Sequence, residues 1–304
     1  RRPRGERVLR PVVEGDVAIT TIEARTLEVP GASIVYDVRG PLPPESAPVL
    51  LMVGQPMTGD GFATLASFFP DRTVVTYDPR GLGRSTRHDG GTTHEPGQQA
   101  ADLHALVTEL GSGPVDLFGS SGGAITGLAL VAAHPHDVRT LVAHEPPLVR
   151  LLPDADRVLA ASRLMERTYQ ERGWGAAMAL FVAMTSHPGE LPEGFGSEPP
   201  DPAALGLPTA DDGSRDDPLF SGASSAVTEL EPDLEALRAV PMRLVLAAGV
   251  ESHGLMTWRT TVALAEALDI EVTQFPSHHG GFLGGEFGQQ GDPEAFAARL
   301  REVL

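Results

Sequence analysis

The sequence predicts an α/β protein with a mostly parallel, doubly wound sheet and an inserted, mainly helical segment. In both end portions of the chain, short apolar runs alternate with helical patterns, and the alternation stops between about residues 148 and 239. Strands that alternate with helices form parallel sheets with helices on both faces. A further observation is the turn Gly-Ser-Ser-Gly-Gly at 119–123, which lies between a buried strand and an Ala/Leu-rich helix.

The N-terminal portion supplies most of the predicted strands. The first two strands flank a Pro-Gly turn, and the next two are continuous apolar runs, which are typical of central strands covered on both faces. Predicted strands cover 17–29, 32–38, 49–54, 72–78, 114–118 and 138–147, and predicted helices cover 98–110 and 121–133.

The middle of the chain interrupts this alternation. Two helices are predicted within 154–186, followed by an irregular stretch at 187–228 that is rich in Pro, Gly, Ser and acidic residues. From residue 241 a strand, a helix, a strand and a final helix follow. We therefore predict a core of residues 1–147 and 240–304 and a cap segment of residues 148–239. The cap segment is expected over the carboxyl edge of the sheet, where such folds bind ligands.

Composition excludes several classes of function. The chain has 304 residues and a net charge of −18, from 41 acidic and 23 basic residues. This balance argues against binding nucleic acid or an anionic membrane surface. The absence of cysteine excludes disulfides and thiolate chemistry. No apolar run reaches the roughly 18 residues of a membrane span. We predict a soluble, cytoplasmic protein with a small-molecule substrate, and the sequence leaves open its oligomeric state and whether a leader was removed.

The turn at 119–123 predicts a nucleophilic serine. It fits the pattern G-x-S-x-G between a strand and a helix, with Ser121 at the central position. In that context small neighbours let strand and helix approach closely while the hydroxyl stays accessible. A serine nucleophile needs a base, and "FPSHHGGF" at 275–282 places His279 directly after the last predicted strand.

A carboxylate should orient this imidazole and stabilise its cation. Two glutamates end predicted strands between the serine and the histidine in chain order: Glu251 in "LAAGVES" and Glu145 in "VAHEPP". Glu251 is preferred, because the acid more often follows the strand before the last one, and Glu145 is the alternative. The oxyanion hole is expected to use the N–H groups of Gly122 and Gln55, since Pro56 has none.

Together these motifs resemble the α/β-hydrolase superfamily of the serine-hydrolase type. The resemblance covers about residues 31–147 and 240–304, and "YDPRGLGRS" at 77–85 is similar to the family's D-x-R-G-x-G-x-S turn. It implies an α/β-hydrolase fold in which Ser121, His279 and a glutamate form the catalytic triad, and in which Asp78 and Arg80 are structural. Val53 stands where the family commonly has histidine, which removes a supporting side-chain hydrogen bond.

The predicted function is hydrolysis of an ester, thioester or lactone of a small, mainly apolar molecule through an acyl-enzyme on Ser121. Alternatives are acyl transfer, cofactor-free perhydrolysis or C–C bond hydrolysis by the same triad, and a non-catalytic binding protein. The chemistry needs no metal or organic cofactor, and no H-E-x-x-H spacing is present. Apolar side chains on the cap helices and beside the site are expected to contact the substrate: Met57, Trp174, Met178, Phe181 and Phe282.

Overall fold

The structure is a computed structural model that describes residues 21–304. Its main feature is one twisted sheet with the strand order β1-β2-β4-β3-β6-β7-β8-β9, with the short β5 paired to β2. The first two strands form an antiparallel hairpin, β2 is antiparallel to β4, and β3, β4 and β6 to β9 are parallel. The strands are Ile22–Val29 (β1), Ala32–Arg39 (β2), Leu50–Val53 (β3), Val74–Tyr77 (β4), Thr86–Arg87 (β5), Val115–Ser120 (β6), Val138–His144 (β7), Arg243–Gly249 (β8) and Val272–Phe275 (β9).

The predicted fold class is confirmed, and the predicted strands all appear within a few residues of their expected bounds. Residues 17–20 of the first predicted strand lie outside the described residues. Continuous apolar runs form the central strands because both faces of the sheet are covered. In β3, Leu51 and Val53 pack into one hydrophobic cluster, whereas Leu50 and Met52 pack into the cluster on the opposite face.

Helices cover both faces of this sheet. The ends of α2 and α9 follow familiar capping chemistry: α2 has Pro96 in its first turn and ends at the left-handed Gly111, and the side chain of Asp292 accepts a hydrogen bond at the start of α9. The helices are Ala63–Ser67 (α1), Pro96–Leu110 (α2), Gly122–Ala133 (α3), Ala155–Arg172 (α4), Trp174–Thr185 (α5), Ser225–Thr228 (α6), Leu234–Ala239 (α7), Met256–Leu268 (α8) and Pro293–Val303 (α9).

The segment after β7 builds a separate hydrophobic cluster. Helices α4 and α5 pack against each other, and Tyr169, Leu180 and Phe220 are buried between them and the following loop. Two residues near the end of the predicted cap segment contact the main core. Val227 of α6 and Leu237 of α7 pack into the same cluster as the sheet, because both short helices lie against α3.

The turn after β4 is held by buried ion pairs. Arg80 donates two hydrogen bonds to Asp102, at 2.9 and 2.6 Å, and both side chains are buried. Asp78 accepts hydrogen bonds from the N–H groups of Gly59 and Arg84. These contacts give the turn at 77–85 the structural role expected of it. Across the residues that the structure describes, no helix combines the length and apolar character needed to cross a membrane.

Candidate active site

Ser121 lies in a strained turn between β6 and α3. Its backbone has φ 56° and ψ −125°, a conformation that costs energy for any residue with a side chain. The neighbouring glycines make this turn possible. A Cβ on Gly119 would lie 2.7 Å from the carbonyl oxygen of Gly123, and one on Gly123 would lie 2.0 Å from that of Val53. Gly119 and Gly123 are therefore explained by close backbone contacts around the serine.

His279 follows β9 and is paired with a buried carboxylate. Its Nδ1 lies 2.6 Å from Oε2 of Glu145, whose side chain is fully buried, while 42% of the histidine side chain is exposed. A donor at Nδ1 leaves Nε2 of His279 as a proton acceptor. The neighbouring His278 has other partners: its Nδ1 accepts from Gly280 N–H, and its Nε2 lies 3.1 Å from the carbonyl oxygen of Gln290.

Further hydrogen bonds hold the Glu145 carboxylate. Oε1 accepts from the N–H of Gly249 at 2.9 Å, and Oε2 also accepts from the hydroxyl of Thr257 at 2.6 Å. Burial acts to raise the pKa of Glu145, but the hydrogen bond and charge of His279 and the hydroxyl of Thr257 outweigh it. The net effect lowers the pKa well below the usual range of a glutamate, so the carboxylate stays ionised beside the imidazole.

The structure places Glu145, the predicted alternative acid, beside His279, and it does not place Glu251 there. Glu251 is exposed in a short 3₁₀ turn after β8, and only its backbone N–H contacts the histidine loop, donating to Ser277. Glu145 instead has a left-handed backbone, φ 48°, at the end of β7, and its N–H donates to Ala247 of β8. This conformation directs the carboxylate under the end of β8, where Gly249 donates to it. The Glu145 side chain, at the end of β7, thereby reaches past β8 to His279 in the loop after β9.

Gln55 and Gly122 lie against each other beside the serine, as an oxyanion hole requires. A Cβ on Gly122 would meet the carbonyl oxygen of Gln55 at 2.6 Å and its Cβ at 3.0 Å. The N–H of Gly122 is in the first turn of α3, where no intrahelical acceptor exists. Within residues 21–304, the N–H of Gln55 donates to no other group. Neither predicted donor therefore has an acceptor for its N–H among the described residues.

His144 is a buried residue of the site to which the sequence pattern assigns no role. Its carbonyl oxygen accepts from the N–H of Ser121, and its Nδ1 lies 3.2 Å from the hydroxyl of Ser120. Its ring packs 6.0 Å from that of His279, centroid to centroid. Complete burial lowers the pKa of His144 to about 4. The signal in the sequence was its position directly before Glu145 at a strand end.

Thr257 is a second residue that sequence reasoning missed. It lies in the first turn of α8, and its hydroxyl reaches Glu145 because that helix packs on β8 and Thr260 of the same helix donates to the carbonyl oxygen of Pro146. Nothing in the local sequence distinguishes it from other polar residues at helix starts.

The predicted substrate-contacting residues fall into two groups. Met57, Trp174, Met178 and Phe181 are partly buried; the last three pack against the cluster of the cap segment. Phe282 is only 3% exposed and stacks on Phe62 at 5.4 Å within the core. This burial favours a packing role for Phe282 over the predicted substrate contact.

The cap segment contacts the predicted oxyanion loop. The side-chain nitrogen Nε2 of Gln55 lies 3.4 Å from the hydroxyl of Ser224. Next to this contact in the chain, the backbone N–H of His94 donates to the carbonyl oxygen of Ala223. Oε1 of Gln55 is buried and has no hydrogen-bond partner among the described residues. This end of the site is thus covered by the segment around residue 223 and keeps one polar atom unsatisfied.

Comparison with known proteins gives the family. The sequence profile of the alpha/beta hydrolase fold matches residues 47–172. The chain is 32% identical over 276 residues to the uncharacterised hydrolase YraK of Bacillus subtilis, a match that covers 86% of this chain and 91% of that protein. The chain therefore belongs to the α/β-hydrolase fold family and is an enzyme of that fold.

Two solved structures show the same fold. The esterase RhEst1 from a Rhodococcus species has a TM-score of 0.64 at 21% identity, over 92% of this chain and 97% of that one. A thermophilic esterase from Thermogutta terrifontis has a TM-score of 0.61 at 19% identity, over 94% and 97% of the two chains.

Proposed function

We propose that this protein hydrolyses an ester, thioester or lactone of a small, mainly apolar molecule through an acyl-enzyme on Ser121. The observation that supports it most is the buried Glu145 carboxylate bonded to Nδ1 of His279 at the sheet edge that carries the strained Ser121 turn. An anionic acceptor at Nδ1 fixes the tautomer in which Nε2 can take a proton from a serine hydroxyl. Orientation of the base by a third group is what activation of such a nucleophile requires.

The proposed reaction has two halves. Ser121 Oγ attacks the substrate carbonyl carbon while His279 takes its proton, and the N–H groups of Gln55 and Gly122 bind the negative oxygen. Collapse of this intermediate breaks the bond to the leaving group, which receives the proton from His279, and leaves an acyl group on Ser121. Water then attacks the acyl group, with His279 again accepting and returning the proton, and the acid product leaves.

The cap segment is proposed to set the substrate class. The partly buried Trp174, Met178 and Phe181 provide apolar surface, and the names of the structural neighbours, esterases, are consistent with a carboxylic ester. Trp174 is oriented by a hydrogen bond from its indole N–H to Asp217, at 3.1 Å. The unsatisfied Oε1 of Gln55 offers one acceptor to a substrate N–H or O–H, since a buried polar atom without a partner is costly.

Two measurements test the proposal. A fluorophosphonate probe, followed by peptide mass spectrometry, should label Ser121 in the wild type, and a panel of p-nitrophenyl esters should be hydrolysed. Ser121→Ala should abolish labelling and lower turnover by about 10⁶-fold, as loss of a triad serine does. Ser120→Ala is the matched control. It removes the hydroxyl of the preceding residue, which contacts the buried His144, and it should keep most of the activity.

Two outcomes would contradict the proposal. Equal turnover in Ser121→Ala and the wild type would exclude an acyl-enzyme on Ser121. Failure of the wild type both to take the probe and to hydrolyse any ester of the panel would favour the alternative of a binding protein. Product analysis with a competing alcohol separates the acyl-transfer alternative, because an acyl acceptor other than water then yields a new ester.

A further inference from the structure

Two histidines and one aspartate lie together at the edge of the sheet opposite the candidate active site. His104 is on α2, His134 follows the last residue of α3, and Asp137 precedes the first residue of β7. Ser121 and Glu145 follow the other ends of β6 and β7. Because β7 has seven residues, the two groups are separated by roughly 20 Å along the strand direction.

The polar atoms of the three side chains lie close together. One ligand atom from each lies within 4.8 Å of the others, and Nδ1 of His104 is 2.6 Å from Oδ2 of Asp137. The rings of His104 and His134 are parallel, with centroids 3.7 Å apart and planes 10° from coplanar. All three residues are half-buried, so their positions are partly fixed by packing while the cluster stays open to solvent.

We propose that His104, His134 and Asp137 bind one divalent transition-metal ion of the zinc type. Two imidazole nitrogens and one carboxylate oxygen form a donor set that suits Zn²⁺, Ni²⁺ or Cu²⁺, whereas Mg²⁺ and Ca²⁺ prefer oxygen alone. Three protein ligands with water in the fourth position is an established coordination for zinc.

Metal binding at this site needs two local rearrangements. One imidazole must rotate, because a bound ion lies in the plane of each ligating ring and the planes of His104 and His134 are now stacked. Two ligands about 2.0 to 2.1 Å from a tetrahedral ion are roughly 3.3 Å apart, so the pair formed by His104 and Asp137 must open by less than about 1 Å. If Nδ1 of His104 is the ligand atom, the ring proton moves to Nε2 and the imidazole stays neutral.

The position of the site indicates what the ion would do. It would connect α2, the end of α3 and the start of β7, three elements that meet at Asp137, whose carbonyl oxygen also accepts from Val115 of β6. A ligand that binds only the folded state stabilises it in proportion to the logarithm of its concentration. The expected effect is structural, with a higher melting temperature and no change in ester hydrolysis.

The test uses the full chain without a histidine tag, after dialysis against EDTA. Titration calorimetry with ZnCl₂ should give one ion bound per chain, and saturating ZnCl₂ should raise the melting temperature. His104→Ala and His134→Ala should each weaken binding at least tenfold and abolish the increase in melting temperature. His136→Ala is the matched control, because His136 is exposed between the ligands in sequence but is not in the cluster, and it should bind as the wild type does.

Several results would overturn the site. One is the absence of saturable binding up to 1 mM ZnCl₂. Another is equal affinity in the wild type and both alanine variants, which would place the ion elsewhere. If His134→Ala fails to fold by circular dichroism, Asp137→Asn replaces it as the second variant, since the side chain of Asp137 forms no other hydrogen bond within residues 21–304. Ester hydrolysis by His104→Ala serves as the check that the active site is intact.

Discussion

Replacement of Glu145 by glutamine is the sharpest test of the candidate triad, because it preserves the shape of the side chain and removes its charge. In the wild type, Oε1 accepts from the N–H of Gly249, and Oε2 accepts from Thr257 and from Nδ1 of His279. All three partners are donors. A glutamine has one acceptor oxygen and one donor nitrogen in these two places, so it cannot satisfy them all.

Each orientation of the amide has a defined cost. If the oxygen faces Gly249, the NH₂ group faces His279, whose Nδ1 must then accept, and the proton moves to Nε2, where it prevents abstraction from Ser121. If the oxygen faces His279, two buried N–H donors face each other at Gly249, at a cost of about 1 to 3 kcal/mol. Loss of the orienting carboxylate of a triad lowers turnover by about 10⁴-fold, or about 5.4 kcal/mol of transition-state stabilisation.

The assay compares kcat of Glu145→Gln and Glu251→Gln on the best p-nitrophenyl ester, with thermal unfolding to confirm that both variants fold. We expect Glu145→Gln to lose about three to four orders of magnitude. Glu251→Gln should retain most of the activity, because Glu251 is exposed and its side chain is not bonded to His279. A severe loss in Glu251→Gln together with an active Glu145→Gln would refute the assignment of the acid.

The remaining predictions concern stability. The folded-state pKa of His144 is lowered to about 4, so the unfolded chain takes up the proton first, and this histidine contributes stability that is present above about pH 6.5 and lost as the pH falls toward 4. Urea unfolding should show that the free energy of unfolding of the wild type falls between pH 7 and pH 4.5. In a folded His144→Gln variant this decrease should be about 2 to 3 kcal/mol smaller. An equal decrease in both proteins would contradict the burial argument. Gly123→Ala should destabilise the fold by about 3 kcal/mol or more, since the added Cβ would lie 2.0 Å from the carbonyl oxygen of Val53. Gly97→Ala on α2 is its control: nothing lies within 4 Å, and it should be neutral or stabilising by about 0.5 to 1 kcal/mol.

Several features of the fold could be predicted because they depend on local pattern. The apolar runs of β3 and β4 alternate between two clusters on opposite faces of the sheet, and that burial on both sides is visible as continuous hydrophobicity. The G-x-S-x-G turn was recognisable because backbone contacts of 2.0 to 2.7 Å leave no room for a side chain at Gly119 or Gly123. Because each of these requirements concerns the residue type at a single position, it can be recognised in the sequence.

The return of the chain from the cap segment was less accessible to prediction. Val227 and Leu237 pack against the core, yet the surrounding sequence is rich in polar and acidic residues. Its few apolar residues gain their partners only when α6 and α7 pack against α3, which is a contact between segments far apart in the chain.

The sequence by itself determined the position of Ser121, its glycine neighbours and the histidine that follows the last strand, since each depends on residues adjacent in the chain. It offered two glutamates at strand ends, and only the tertiary structure distinguished between them. That choice depends on the left-handed backbone of Glu145, on the N–H of Gly249 and the hydroxyl of Thr257 from two later elements, and on the position of the His279 loop beyond β8. These groups are more than 100 residues from Glu145 in the chain. The spatial arrangement of strand ends, which packing of the whole sheet sets, therefore decided which glutamate contacts His279.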